Sequence, residues 1–128
     1  MKLNLDCIRS ILIAIEEKPF NQTYTLDTLC GKIPTFSSDE IHYCCLILDE
    51  AGFLNVITVP LTRSNVLGIK SIGELSFSGH EFLESIRQEN HFLKVKSYCR
   101  KIGSYSFDCI LDISKELLRD SIRNALLP

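Results

Sequence analysis

Three histidines, six cysteines and three pairs of adjacent carboxylates are the groups in this 128-residue chain whose types and spacing could do chemistry. His42 precedes Cys45 by one helical turn, so a Cys–His nucleophile pair is geometrically open. No third group stands where it would orient the histidine, and a partly exposed helix residue is the plainer reading of His42. His80, between Gly79 and Glu81, sits at the start of a helix. A neutral imidazole there could bond a carbonyl of the preceding hairpin and fix the angle between strand and helix. That role is structural, with a functional one as the alternative. His91 opens a later helix and is expected to face solvent.

Cys7, Cys30, Cys44, Cys45, Cys99 and Cys109 contain no C-x-x-C pair. Cys44 and Cys45 are neighbours, and adjacent side chains on a helix diverge by about 100°. That arrangement suits neither a zinc knuckle nor an easy disulfide. The six read as reduced cysteines serving as small core hydrophobes. Glu16/Glu17, Asp39/Glu40 and Asp49/Glu50 diverge in the same way, so they make no acid–base dyad; they read as solvated helix ends. There is no glycine-rich phosphate loop and no nucleophile elbow. The expectation is a protein that is not an enzyme, with no cofactor, no metal and no evident small-molecule ligand.

Charge speaks on nucleic acid. The net charge of −2 gives no global pull toward phosphate. Between Ser38 and Gly52, where a recognition helix is expected, there is no lysine or arginine, and Asp39, Glu40, Asp49 and Glu50 are all acidic. A helix that reads bases normally presents arginine, lysine, asparagine or glutamine, and four carboxylates would be repelled by phosphates. The basic residues lie elsewhere. Arg63 and Lys70 flank an expected hairpin tip. Lys94, Lys96, Arg100 and Lys101 form a run without acids, with Tyr98 among them. The run reads as a solvated face, a nucleic-acid patch or a contact for an acidic protein.

The elements that must position these groups are well marked. Phe36–Leu54, FSSDEIHYCCLILDEAGFL, reads as one helix running into a strand. Ser37 and Glu40 form a capping box, and Phe36 with Ile41 a hydrophobic staple. Ile41, Cys44, Cys45 and Leu48 supply a buried face, and Gly52 stops the helix. Before it, Asn4 caps a helix over Leu5–Lys18, with the stripe Leu5, Ile8, Ile11, Leu12 and Ile15 and with Arg9, Glu16 and Glu17 in water. Thr25–Cys30 is read as a short helix closed by Gly31; the alternation of Tyr24, Leu26 and Thr28 also permits a strand. Phe53–Val59 and Gly68–Phe77 read as the strands of a hairpin, with Leu61–Leu67 at its tip and a bulge at Gly73. Ser78 and Glu81 repeat the capping box, with Phe77 and Phe82 as staple and the helix ending near Glu89. A helix over His91–Ile102 buries Phe92, Val95, Cys99 and Ile102, and Gly103 closes it. Ser106 caps the last helix, with Tyr105 and Ile110 as staple.

LDCIRSILIAIEE at Leu5–Glu17, DEIHYCCLILDEAGFL at Asp39–Leu54 and LSFSGHEFLESIR at Leu75–Arg87 resemble, in that order, the bacterial and prophage family called domain of unknown function 2513. The similarity is read over most of the chain, closing helices included, and Ser78–Leu83 is its most specific part. Cys44 stands where members often have histidine. The resemblance implies a winged-helix fold with added C-terminal helices, a phage or mobile-element context and a small regulatory or interaction role, with no activity to carry over.

The combined expectation is an α+β, single-domain protein: a winged helix-turn-helix over 1–89 with a hairpin wing, and a helical extension over 90–128. It has no signal peptide and no membrane span, and is expected in the cytoplasm. Its function is that of a protein-interaction module or regulator; the alternative is a DNA-binding transcriptional regulator using the wing and the basic helix. Nucleic-acid binding is expected to be weak or absent. The last helix carries more apolar residues than one neighbour can cover. A homodimer through Leu118, Ile122 and Leu126 is favoured over burial in an intramolecular groove.

Overall fold

In the computed structural model every residue except Tyr105 and Pro128 is described. The fold is α+β. The described residues form α1 (Leu5–Glu16), α2 (Leu26–Lys32), α3 (Ser38–Glu50), β1 (Leu54–Val59), β2 (Gly68–Leu75), α4 (Phe77–Ile86), α5 (Glu89–Ile102) and α6 (Phe107–Leu126). They divide into two compact units, Met1–His80 and Glu81–Pro128, with the division inside α4.

In the first unit α1 buries its whole predicted stripe together with Cys7. Asn4 caps it, the side-chain oxygen accepting from the Cys7 N–H at 3.2 Å. Arg9 and Glu16 are half-buried rather than in water. The helix ends at Glu16, two residues earlier than expected, because Lys18 leaves the helical path. Its side chain is fully buried, and its ammonium donates to the Gln22 carbonyl at 2.6 Å and to Glu74 Oε1 at 2.5 Å. This clamp holds the loop after α1, where Asn21 takes φ +64°, against β2.

Tyr24 then exchanges two backbone hydrogen bonds with Ile72 of β2, at 2.9 and 2.8 Å. Both readings of this stretch therefore hold in part: Tyr24 is an isolated bridge, and Thr25 caps α2 by accepting from the Thr28 N–H. Gly31 does not close α2, which runs on to Lys32 and ends at Ile33.

Ser37 caps α3, accepting from the Glu40 N–H at 3.2 Å. Ile41, Cys44, Cys45 and Leu48 are its buried face, and Gly52 takes φ +80° beyond its end. β1 and β2 pair antiparallel. The register steps from Leu54↔Leu75 to Val56↔Ile72, so two residues of β2, Gly73 and Glu74, oppose Asn55 alone. The bulge read at Gly73 is present.

The start of α4 differs from expectation. Ser76, not Ser78, is the cap: its Oγ accepts from the Gly79 N–H at 3.0 Å and donates to the Gly52 carbonyl at 2.5 Å. This ends β2 at Leu75 and puts Phe77 on the helix, 80% exposed, where it cannot staple Phe82 or share a face with Leu75. Glycine is required at 79, since a Cβ there would lie 2.0 Å from the Phe53 carbonyl oxygen.

In the second unit α4 stops at Ile86 and α5 begins at Glu89. Phe92, Val95 and Cys99 are buried as read, but Ile102 is 60% exposed in the last turn before Gly103, which takes φ +77°. His91 is buried, not solvent-facing, because it shares the α5 face of Phe92 and Val95. Ser106 caps α6 by accepting from the Cys109 N–H; the staple through Tyr105 lies outside the described residues. The Phe82 and Phe107 rings meet edge to face at 5.7 Å.

Candidate functional site

The surface with the clearest chemical character in the first unit is made by α3 and the β1–β2 hairpin. Two of the four α3 carboxylates have local structural tasks. Glu40 Oε2 accepts from the Asn4 amide at 2.8 Å, joining the starts of α1 and α3. Asp49 Oδ1 accepts from the Val56 N–H at 3.4 Å, joining the end of α3 to β1. Asp39 and Glu50 are exposed.

His42 is bound to the hairpin, not to a thiol. Its Nε2 lies 2.7 Å from the Leu67 carbonyl, to which the protonated nitrogen donates. Cys45 is fully buried, and burial pushes its thiol up to about 12. A thiol that stays protonated is no nucleophile, so the two are not brought together as a catalytic pair. Cys7 and Cys44, from α1 and α3, are also buried and share a thiol–thiol hydrogen bond, which with burial raises Cys7 above the ordinary thiol range.

The hairpin presents apolar groups to solvent. Ile57, Leu61, Val66 and Leu67 are between 45% and 59% exposed. Arg63, at φ +66°, and Lys70 are exposed beside them. Ile57 lies on β1, where strand alternation reads equally well as core, while Leu61, Val66 and Leu67 lie in the connection between the strands. His80 holds no hairpin carbonyl. It is exposed, and the Glu74 carboxyl is held below the usual range chiefly by its hydrogen bond to Lys18.

In the second unit Lys94, Arg100 and Lys101 are exposed, while Lys96 is half-buried with its ammonium 5.3 Å from the Phe92 ring centre. Lys101 lies 5.3 Å from the Tyr98 ring, so part of the basic run is laid over its own aromatics. On α6 only Ile110 and Ser114 are buried; Leu118 is half-buried, and Ile122 and Leu126 are 57% and 79% exposed. Sequence reading missed the burial of Lys18 and His91, since charged and polar types carry no burial signal of their own.

Among the described residues no three histidine, cysteine, aspartate or glutamate side chains gather as a metal site. Among the described residues no helix is long and apolar enough to cross a membrane. What the geometry defines is a small α+β protein with a hairpin buttressed by a helix, followed by a helical unit. Residues 2–106 match the family described as hypothetical protein, domain of unknown function 2513, and the chain belongs to that family. The match stops where α6 begins. An uncharacterised protein of Haemophilus influenzae is 30% identical over 127 residues, covering 98% of this chain and 99% of its own, so that similarity continues past residue 106. No solved structure matches the chain.

Proposed function

We infer that this is a small protein-interaction module or regulator, of phage or mobile-element type, built on a winged-helix scaffold rather than an enzyme. The order α1, Tyr24 bridge, α2, α3, β1, β2 supports the scaffold: helix, short strand, two helices, then a hairpin wing. The observation that carries the interaction reading is the α3–hairpin surface. It has no cation on α3, exposed Asp39 and Glu50, and four exposed aliphatics on the hairpin. Phosphates would be repelled there, whereas a protein surface with basic and apolar groups would be complementary. Duplex DNA should therefore bind no better than roughly 10⁻⁵ M near physiological salt. A gel shift at low and moderate salt tests this, and a sequence-selective nanomolar complex would overturn it.

The exposed Lys94, Arg100 and Lys101 favour a second reading, DNA binding through α5 and the hairpin. Replacing all three by glutamine removes salt-dependent binding under that reading and changes nothing under the first. Self-association through α6 belongs to the interaction reading, since Ile122 and Leu126 are 57% and 79% exposed.

A further inference from the structure

One side of the β1 backbone faces no strand. Ile72 of β2 exchanges both of its backbone hydrogen bonds with Tyr24, so its N–H and C=O point away from β1. Val56 stands opposite Ile72, and its own N–H and C=O therefore point outward, away from β2. The Asp49 side chain agrees with that direction, since it takes the Val56 N–H. Both register steps place their extra residue on β2, so β1 itself is regular. Alternation then turns the Thr58 N–H and C=O outward as well. Among the described residues, neither the Val56 carbonyl nor either Thr58 group has a backbone partner beyond the hairpin.

Nothing on β1 blunts this edge. Leu54–Val59, LNVITV, holds no charge and no proline, the usual protections of an exposed strand. Ile57 is 59% exposed on the solvent face. The two ends of the edge carry opposite charges. Asp49 and Glu50 end α3 beside the start of β1, and Arg63 and Lys70 flank the connection beyond its end. An added strand of either direction can use the Val56 carbonyl and both Thr58 groups, and antiparallel pairing is the more stable per residue. An antiparallel strand begins beside Arg63 and Lys70 and finishes beside Asp49 and Glu50. Acidic residues suit its start and basic residues its end.

We propose that the outer edge of β1 takes up an extended segment of another protein as an antiparallel strand. The segment is acidic at its start and basic at its end, and it sets a β-branched aliphatic residue beside Ile57. This names the partner and the mode of contact for the α3–hairpin surface, and it rests on the interaction reading of that surface.

The test is NMR of the ¹⁵N-labelled full chain with the blocked peptide Asp-Glu-Val-Thr-Ile-Val-Thr-Lys-Arg, whose isoleucine falls opposite Ile57. The expected result is a saturable shift of the Thr58 amide and slower exchange of its proton. N-methylation of the first threonine or the second valine removes a bond to the edge and should weaken binding by about fivefold or more. N-methylation of the isoleucine, whose N–H points away from β1, should change it by less than about twofold. Exchanging the acidic and basic ends should weaken binding by about fivefold. No Thr58 shift overturns the proposal, as do equal effects of the N-methyl groups or equal binding of the end-exchanged peptide. A Thr58 amide protected in the chain alone, with a concentration-dependent shift, assigns the edge to a second copy and overturns it too. The DNA gel shift is independent of the peptide. Failure here without a selective DNA complex leaves the interaction reading standing on the exposed hairpin aliphatics.

Discussion

Lys18 in the first unit and His91 in the second are both buried side chains that carry polar nitrogen, and their surroundings differ. Lys18 meets Glu74 and the Gln22 carbonyl, with the Pro19 carbonyl at 3.4 Å. His91 Nε2 has no hydrogen-bond partner among the described residues. The contrast extends to the elements. The first unit joins its parts with side-chain bonds of long sequence separation: Asn4 to Glu40, His42 to Leu67, Lys18 to Glu74, Ser76 to Gly52. In the second unit Ser85 bonds to Phe82 and Ser114 to Ile110, both within one helix turn. The second unit joins α4 to α6 through the Phe82 and Phe107 rings, so the two units differ in the kind of tie: polar bonds of long sequence separation in the first, an aromatic contact beside local bonds in the second.

The same substitution in each unit gives the largest test of that difference. Gly79→Ala should destabilise by roughly 3 kcal/mol or more, because its Cβ would strike the Phe53 carbonyl and the junction cannot relax alone. Gly103→Ala faces open space and pays only for its positive φ, about 1 kcal/mol. Urea melts measure both, and equal costs would remove the contrast.

Lys18→Met comes next. It strands Glu74, but that side chain is 41% exposed and can turn to water, so the loss at neutral pH should be about 2 kcal/mol, below the range for a fully buried pair. Acid sharpens the test. Lys18 holds the Glu74 carboxyl below its ordinary value, so its stabilising contribution is complete above the unfolded carboxylate range and is lost as pH falls through the folded value. The difference between Lys18→Met and the unaltered chain should shrink over that acidic window and stay constant from there up to neutrality. A difference independent of pH would mean that the ammonium acts through its carbonyl contacts alone.

Caps give a smaller effect. Ser37→Ala, Ser76→Ala and Ser106→Ala should each cost about 1 kcal/mol through an orphaned N–H. Ser76→Ala should cost the most of the three, since it also removes the bond to the Gly52 carbonyl. Ser78→Ala, at an exposed position, should change stability by less than about 0.5 kcal/mol. If Ser78→Ala is the costlier of the two, α4 starts where the S-x-x-E spacing placed it.

That misplaced cap shows what was legible in the sequence. Periodicity and caps located α1, α3, the hairpin and α6, because each is a local pattern with a local cause. Ser76 and Ser78 both satisfy local rules, and the choice between them is made by the Gly52 carbonyl, 24 residues away. Lys18 and His91 failed for the same reason: only tertiary partners, present for one and absent for the other, decide what burial costs. Of the basic candidates, Arg63, Lys70, Lys94, Arg100 and Lys101 are exposed and Lys96 is half-buried. The exposure of the hairpin aliphatics and the burial of His91 came from the structure alone.

The end of α6 gives the smallest expected change in the stability of a single chain and the sharpest statement about the second unit. Beyond Ser114 the helix buries nothing fully, and Ile122, Leu126 and Leu127 are 57%, 79% and 63% exposed. If a second copy covers this end, the unaltered chain should sediment as a dimer at tens of micromolar, and Ile122→Glu with Leu126→Glu should give a folded monomer. At high dilution, where both are monomers, that variant should differ from the unaltered chain by less than about 0.5 kcal/mol, because neither side chain is core. Leu118→Glu is the contrasting case, since a half-buried leucine packs within its own chain and should cost stability at every concentration. A one-chain mass that does not change with concentration would falsify the dimer. It would leave the apolar end of α6 as a contact for a different protein, and the second unit would still be the one that looks outward for its cover.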